Sequence, residues 1–320
     1  MIIEPNRRRR NRIFRAVVGV VALLFVGGLL ASGWTLPAFS IANVTRTSSP
    51  PPAAPTPSAG PVAIVPTPEP TVPAPTPAPT PGADGCIPPP ADLVPAQVVS
   101  HGPRSVKVVA LTFDDGFDAP NVERILRFLV AHRVNATFFP TAAAVEMTPK
   151  TWQKVAAAGF PIANHTYHHA SLKGVCYEKQ LAELNKAKSV VADHALPMQG
   201  YMRPPYEEYD MNTRRAAASA GEAYVVLWDV DTFDWTGVSK GTIASRALRG
   251  KSGSIILMHT SPHATPAALF RIVSKFRARG YSFVTIGQLL GVPGPAPFPA
   301  PSAAAPSPAA PSPPASSPPA

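Results

Sequence analysis

Residues 106–116 read VKVVALTFDDG, an apolar and β-branched run that ends in two aspartates and a glycine. The run predicts a strand over Val106–Phe113. Asn121–His132 comes next and predicts a helix, with Val122, Ile125, Leu126 and Leu129 on one face. A strand followed directly by an amphipathic helix is the repeating unit of an α/β fold.

The same alternation continues along the chain to residue 285. Further strands are predicted at Ala136–Pro140, Phe160–Ala163, Gly200–Arg203, Tyr224–Val230, Ser254–His259 and Tyr281–Thr285, and further helices at Pro149–Ala158, Tyr177–Ala192, Asn212–Ala220, Thr242–Arg249 and Thr265–Arg279. Repeated strand–helix units predict parallel strands with helices outside. About seven units predict a distorted (β/α) barrel, since the usual eight-unit barrel takes about 250 residues.

Proline-rich segments flank this region. Of the 42 prolines, 14 lie in residues 50–81 and 12 in residues 293–319. Such segments lack the apolar side chains that offset chain entropy, so disordered extensions are predicted on both sides. The predicted organisation is a linker over 37–85, one folded domain over 86–291 and a disordered tail rich in proline, alanine and serine over 292–320.

Half of the net charge of +10 lies in the first fifteen residues. Residues 1–15 carry six arginines, and residues 16–36 carry no charge. This pattern predicts a cytoplasmic basic segment followed by a transmembrane signal-anchor or a cleaved signal peptide, and the length of the apolar run favours the anchor. In both cases the domain faces outward, on the extracellular face of the membrane or secreted, and nucleic-acid binding is not expected.

The chain has two cysteines, Cys86 and Cys176. In an exported chain one pair predicts a disulfide, here between the start of the domain and a central loop. Two unpaired thiols and a bridge to another chain are the alternatives. Neither cysteine lies in a CxxC pattern, which argues against a cysteine metal site.

Five polar clusters lie at or just beyond the C-terminal ends of predicted strands. They are Thr112–Gly116, His165–His169, Arg203–Tyr206, Asp231–Trp235 and Leu257–His259. In a (β/α) barrel that end is the catalytic face. Distant segments are therefore expected to converge on one cleft, although each cluster alone has an ordinary explanation as a turn, a packed ring or a solvated side chain.

His165 and His169 are four residues apart and can turn both imidazoles to one side. With Asp115 they would form a His–His–Asp facial set that leaves positions open for water and substrate. The adjacent Asp114 could face that water, and Arg203 could keep its carboxylate ionised and oriented. Non-haem iron oxygenases share the His–His–carboxylate set, but the adjacent aspartates and the strand–helix alternation argue against them.

His259 ends an apolar strand. With an acid such as Asp234 nearby it could be held protonated and donate to a leaving group. Tyr206 and Trp235 could supply an aromatic wall for a sugar ring. Packing in the core is the alternative explanation for His259 and for both aromatic residues.

The five clusters resemble the motifs of the polysaccharide deacetylase family, the NodB-homology or carbohydrate esterase family 4 enzymes. TFDDG, HTxxH, RxPY, DxxDW and LxH occur in the family's order over about Val106–Leu290. The resemblance implies a distorted (β/α) barrel that removes acetyl groups from N-acetylated sugars. Ala163, Glu207 and Thr260 depart from the usual pattern, and none of these changes removes a ligand or a catalytic group.

The resemblance also implies a role for each site residue. Asp114 would be the general base, Arg203 would position it, and Asp234 would tune His259 as the general acid. Asp115, His165 and His169 would bind a divalent metal ion, usually zinc. Tyr206 would offer its backbone N–H to the oxyanion, while Trp235 and Leu257 would shape the acetyl pocket.

The expected protein is a monomeric hydrolase whose partner is an N-acetylated glycan polymer of the cell wall. The Pro-rich spacer of roughly thirty residues would reach about 100 Å when extended, which favours peptidoglycan N-acetylglucosamine as the substrate. Deacetylation of chitooligosaccharides or acetylxylan is one alternative. An inactive carbohydrate-binding module is the other, and the presence of Asp114, Arg203 and His259 argues against it.

Overall fold

The computed structural model of the protein describes residues 85–299. The predicted basic segment 1–15, the predicted membrane segment 16–36, the linker before residue 85 and the tail after residue 299 lie outside the described residues. Among residues 85–299, no helix has both the length and the apolar character needed to cross a membrane.

The described region contains nine strands and eight α-helices. The strands are β1 (Gln97–Val99), β2 (Val108–Asp115), β3 (Ala136–Pro140), β4 (Ile162–Asn164), β5 (Met198–Met202), β6 (Tyr224–Val226), β7 (Val230–Asp231), β8 (Ser254–His259) and β9 (Ser282–Phe283). The helices are α1 (Ala119–Ala131), α2 (Ala142–Met147), α3 (Pro149–Ala157), α4 (Tyr177–Asp193), α5 (Met211–Ser219), α6 (Lys240–Ala247), α7 (Ala264–Ala278) and α8 (Ile286–Leu290). Single 3₁₀ turns lie at Pro205–Glu207 and Asp234–Thr236.

All nine strands belong to one parallel sheet that curls into a barrel. Their order is β1–β6–β5–β4–β3–β2–β8–β7, and β9 pairs with the start of β2. β6 and β7 lie near opposite ends of this order, yet only residues 227–229 separate them along the chain. Such a short connection requires the two ends of the sheet to approach each other. The predicted distorted (β/α) barrel is confirmed.

The alternation of side chains along β2 separates the outside of the barrel from its interior. Val109, Leu111 and Phe113 pack into the core that the helices cover. Val108 and Ala110 belong to a separate cluster, and the two-residue period places Thr112 and Asp114 on this second, inner side. The strand therefore presents a carboxylate at the mouth of the barrel.

The predicted elements agree with the structure to within a few residues, apart from two differences. The single strand predicted at Tyr224–Val230 is interrupted after Val226, because residues 227–229 cross between the two edges of the sheet. The elements β1, α2 and α8 had no predicted counterpart. They have three, six and five residues, which is too short for a clear periodicity.

Contacts near both ends join the terminal segments to the barrel. A disulfide connects Cys86 and Cys176, whose Cα atoms lie 5.5 Å apart. Phe298 donates from its backbone N–H to Oδ1 of Asn135 (3.1 Å) and accepts from Nδ2 of the same side chain (3.0 Å). The guanidinium of Arg133 lies 4.9 Å from the Phe298 ring centroid. The contacts of the domain thus extend past the predicted boundary at residue 291.

Candidate active site

The polar clusters meet at the C-terminal end of the barrel. Asp114 on β2 lies opposite His259 in the register of β8. His165 directly follows β4, and Arg203 directly follows β5. Asp234 begins the turn after β7, and its carboxylate accepts a hydrogen bond from the backbone N–H of His259 (2.8 Å). Parallel pairing brings these ends together because every strand runs in the same direction.

Asp115, His165 and His169 form one compact group. One potential ligand atom of each residue lies within 4.8 Å of the others. Nε2 of His169 is 3.2 Å from Oδ1 of Asp115, and Nε2 of His165 is 3.8 Å from the same oxygen. That oxygen is buried and makes no hydrogen bond of acceptable geometry within residues 85–299. A divalent cation would satisfy it, so the three side chains fit a metal site.

The hydrogen bonds of both histidines suit metal binding. Nδ1 of His165 lies 2.7 Å from the backbone carbonyl of Arg203 and donates to it, which leaves the lone pair on Nε2. Burial lowers the pKa of His165 to about 4, although the charges of nearby aspartates oppose this effect. The imidazole is therefore neutral at neutral pH, as a metal ligand must be. Nδ1 of His169 lies 3.0 Å from the hydroxyl of Tyr206, which orients the second ring.

The chain turns sharply where β2 ends, at Asp115 and Gly116. Asp115 has a φ of 77° and Gly116 a φ of 97°, both in the left-handed region. The hydroxyl of Thr260 donates to the backbone oxygen of Asp114 (3.1 Å) and accepts from the backbone N–H of Gly116 (2.8 Å). Thr260 therefore secures the turn, which gives a structural role to a residue that departs from the family pattern.

Asp114 pairs with Arg203 inside the barrel. NH1 of Arg203 lies 2.7 Å from Oδ1 of Asp114, and both residues are buried. Nε and NH2 donate to the backbone oxygens of Val226 (3.1 Å) and Leu227 (3.2 Å). Because the guanidinium is fixed at several points, it orients the carboxylate, whose Oδ2 lies 3.8 Å from Nε2 of His165.

Asp234 holds His259 by its ring and by its backbone. Nδ1 of His259 lies 2.8 Å from Oδ1 of Asp234. The hydroxyl of Thr265 donates to Oδ2 of the same carboxylate (2.6 Å). With Nδ1 as the donor to Asp234, Nε2 is the ring nitrogen that remains for a substrate.

The three residues predicted to contact substrate have different positions. Tyr206 is half-buried, with a φ of 62° and its hydroxyl beside His169. Leu257 is buried on β8, and the two-residue period places it on the same side of the strand as His259. Trp235 is half-buried, and its backbone N–H donates to the carboxylate of Asp234 (3.1 Å). Their contacts with a substrate remain predictions.

Sequence reasoning missed the threonines that support the charged pairs. Thr112 accepts from NH1 of Arg203 (2.9 Å), and Thr265 donates to Asp234 as described above. A threonine near a strand end or a helix start is common in any α/β fold. No sequence signal distinguishes these two from threonines that merely pack or cap.

The fold and the site define a (β/α)-barrel protein of the hydrolase type, with a His–His–Asp group that fits a metal ion, an aspartate paired with an arginine and a histidine paired with an aspartate. The protein-family model for polysaccharide deacetylase matches residues 101–225. A peptidoglycan-N-acetylglucosamine deacetylase of Bacillus cereus is 36% identical over 194 residues, which cover 59% of this chain and 70% of that protein. This chain belongs to the polysaccharide deacetylase family.

Further relatives show how far the similarity extends. The peptidoglycan-N-acetylglucosamine deacetylase PgdA of Listeria monocytogenes is 30% identical, and this chain spans only 45% of its length. The crystal structure of the Bc1960 peptidoglycan N-acetylglucosamine deacetylase superposes with a TM-score of 0.59 at 33% identity, covering 62% of this chain and 95% of that chain. The family also includes a pseudoenzyme, BA3943 of Bacillus anthracis, with a TM-score of 0.58 at 26% identity and coverage of 62% and 70%. Membership alone therefore does not establish activity.

Proposed function

We propose that this protein is a metal-dependent hydrolase that removes N-acetyl groups from peptidoglycan N-acetylglucosamine. The observation that carries the proposal is the convergence of three units on one end of the barrel. They are the Asp115–His165–His169 group, Asp114 paired with Arg203, and His259 paired with Asp234. The names of the relatives support the choice of substrate.

Asp115, His165 and His169 would hold the metal ion, which we propose to be zinc. When bound, such an ion supplies Lewis acidity that polarises the acetyl carbonyl and acidifies the attacking water. Burial alone would raise the pKa of Asp115, but the imidazole of His169 and the charges of His259 and His165 hold it well below its ordinary value. Asp115 is therefore ionised and would supply the anionic ligand of the site.

Asp114 acts as the general base in this proposal. Arg203 occupies Oδ1 of its carboxylate, so that Oδ2 is the oxygen that accepts the proton of the attacking water. The backbone N–H of Tyr206 would donate to the acetyl oxygen as negative charge develops there.

His259 acts as the general acid. Burial alone would lower the pKa of His259, but the charge and hydrogen bond of Asp234, with the charges of Asp115 and Asp114, raise it to about 10. The imidazole is therefore protonated at neutral pH. Its Nε2 proton passes to the nitrogen of the sugar as the C–N bond breaks, and acetate and a free amine are released.

The predicted N-terminal anchor and spacer would hold the domain, as a monomer, on the extracellular face of the membrane within reach of the wall, and a cleaved signal peptide would release it. A glycan polymer with N-acetyl groups is the corresponding partner. The identity of the metal as zinc, the N-terminal anchor and the monomeric state are all parts of this proposal.

The test is acetate release by the purified full-length chain, supplied with zinc, from isolated peptidoglycan, N-acetylglucosamine oligomers and acetylated xylan. We expect release from peptidoglycan, and its loss in Asp114→Asn. Asp92→Asn changes an exposed aspartate and serves as the matched control. Release only from the oligomers or only from xylan would show that peptidoglycan is not the substrate. No release from any of the three would favour a binding module.

A further inference from the structure

The loop between the two histidines of the proposed metal site has an unfavourable backbone. Thr166 has a φ of 66° and His169 a φ of 59°. For residues with side chains, and above all for a β-branched one, the left-handed region is energetically unfavourable. Such a loop keeps its conformation only where neighbouring groups hold it.

Asn164, the last residue of β4, holds the start of this loop. Its Oδ1 accepts from the backbone N–H of Thr166 (2.9 Å), and its Nδ2 donates to the backbone oxygen of Leu184 (3.2 Å) and to Oε1 of Glu222 (2.7 Å). The opposite orientation of the amide would set its oxygen against two acceptors and its nitrogen against an N–H donor. The three partners therefore fix the direction of the side chain.

Glu222 lies between α5 and β6 and is completely buried. Its Oε1 receives the hydrogen bond from Asn164, and its Oε2 is buried without a hydrogen bond to any residue in 85–299. Burial raises the pKa of Glu222 to about 8, although the hydrogen bond from Asn164 and the charge of Lys188 oppose the rise. A buried carboxyl group is costly, and an apolar side chain of similar size would fill the space without that cost.

We infer that Glu222 is a positioning residue which, through Asn164, holds the histidine loop in the conformation that binds the metal ion. The inference rests on the proposed metal site. Asn164 immediately precedes His165, and the Thr166 hydroxyl accepts from the backbone N–H of His169 (3.0 Å). The hydrogen bonds thus lead from Glu222 through Asn164 and Thr166 to His169, and Asn164 is joined to His165 by the peptide bond.

The experiment measures the Zn²⁺ dissociation constant of the full-length chain by competition with a chromophoric chelator. Glu222→Gln keeps an acceptor oxygen for Asn164, so its affinity should stay within about twofold of the parent protein. Glu222→Met has a similar length but no acceptor. Its affinity should fall about tenfold, at the lower end of the range for partners that act directly on ligands.

Two further variants keep the result clear if Glu222→Met does not fold. Asn164→Asp retains the acceptor for Thr166 but loses the donor to Glu222, so zinc binding should also weaken about tenfold. Asn135→Ala removes a buried amide that contacts Phe298 at the opposite, N-terminal end of β3. It should lower the melting temperature and leave zinc affinity unchanged.

The outcomes separate the inference from the proposal beneath it. If the parent protein does not bind Zn²⁺, the proposed metal site is wrong. If the parent binds and Glu222→Met or Asn164→Asp binds equally well, Glu222 has a purely structural role and the inference is overturned. A Glu222→Gln variant as weak as Glu222→Met would also overturn it, because the acceptor oxygen would not be the part that matters.

Discussion

Arg203 and Asp114 form an ion pair of 2.7 Å within the barrel, and the arginine side chain has no exposed surface. A fully enclosed guanidinium is rare, because long charged side chains usually keep their ends in water. Here the Thr112 hydroxyl and the main-chain oxygens of Val226 and Leu227 also accept hydrogen bonds from the guanidinium. Arg203 therefore orients the proposed base and also binds the segment that connects the two edges of the sheet.

Replacement of Arg203 should reduce both stability and activity. Arg203→Met leaves a buried carboxylate without its cation, so we expect the free energy of unfolding to fall by about 3–5 kcal/mol. The turnover number for acetate release should fall at least about a hundredfold, since the base loses its orientation. Arg214→Met, at a half-buried arginine whose Nε donates to Ala96, is the control for urea unfolding and kinetics. Normal turnover in Arg203→Met would contradict the role of the pair.

The pairing of His259 with Asp234 should make stability depend on pH. The pKa of His259 in the fold is about 10, above its ordinary value of about 6.5, so the charged imidazole stabilises the folded state. That contribution is fully present below about pH 6.5 and is lost as the pH rises through about 10. In chelator, the stability advantage of the parent over Asp234→Asn should therefore be large at pH 6 and should shrink towards pH 10. Urea unfolding at several pH values checks this, and a constant difference would contradict it.

Gly116 should tolerate no side chain. Its φ is 97°, and an added Cβ would lie 2.4 Å from Cζ2 of Trp152. We expect Gly116→Ala to cost roughly 2–5 kcal/mol, because strain and overpacking add. Gly174 has a φ of 79° with nothing within 4 Å, so Gly174→Ala measures the backbone cost alone. Thermal unfolding compares the two variants. An equal fall in melting temperature for both would show that the contact with Trp152 is unimportant.

The disulfide between Cys86 and Cys176 should stabilise the domain by restricting the unfolded chain. It closes a loop across a sequence separation of 90, and a bridge of this kind typically contributes about 2–4 kcal/mol. Thiol reductant should therefore lower the urea midpoint of the parent protein. The double replacement of both cysteines by alanine should show the lower midpoint with and without reductant. A parent protein that is insensitive to reductant would contradict the prediction.

The sequence predicts the barrel and the convergence of the site because both depend on local patterns. A β-branched run that ends in Asp114 and Asp115 specifies a strand and its exit, and parallel order then brings such exits together. The connection at residues 227–229 was missed because Leu227 and Trp228 extend the apolar run beyond Val226, and Asp229 is the single polar residue before Val230. Periodicity cannot show that Val226 and Val230 belong to opposite edges of the sheet.

The supporting residues of the site could not be predicted for a different physical reason. Glu222 contacts Asn164 across 58 residues of sequence, and Thr265 contacts Asp234 across 31. Each lies on a segment whose local pattern is explained by a turn or a helix start. Only the three-dimensional arrangement shows that Glu222 is buried and that its carboxyl group meets an amide beside a histidine.

The most direct test of the central claim is zinc-dependent acetate release from peptidoglycan by the chelator-treated full-length chain. We predict no release after chelation, recovery that saturates at one equivalent of added Zn²⁺, and no recovery in His165→Ala. Release that survives chelation, or zinc that restores His165→Ala as fully as the parent, would contradict a metal-dependent deacetylase built on Asp115, His165 and His169.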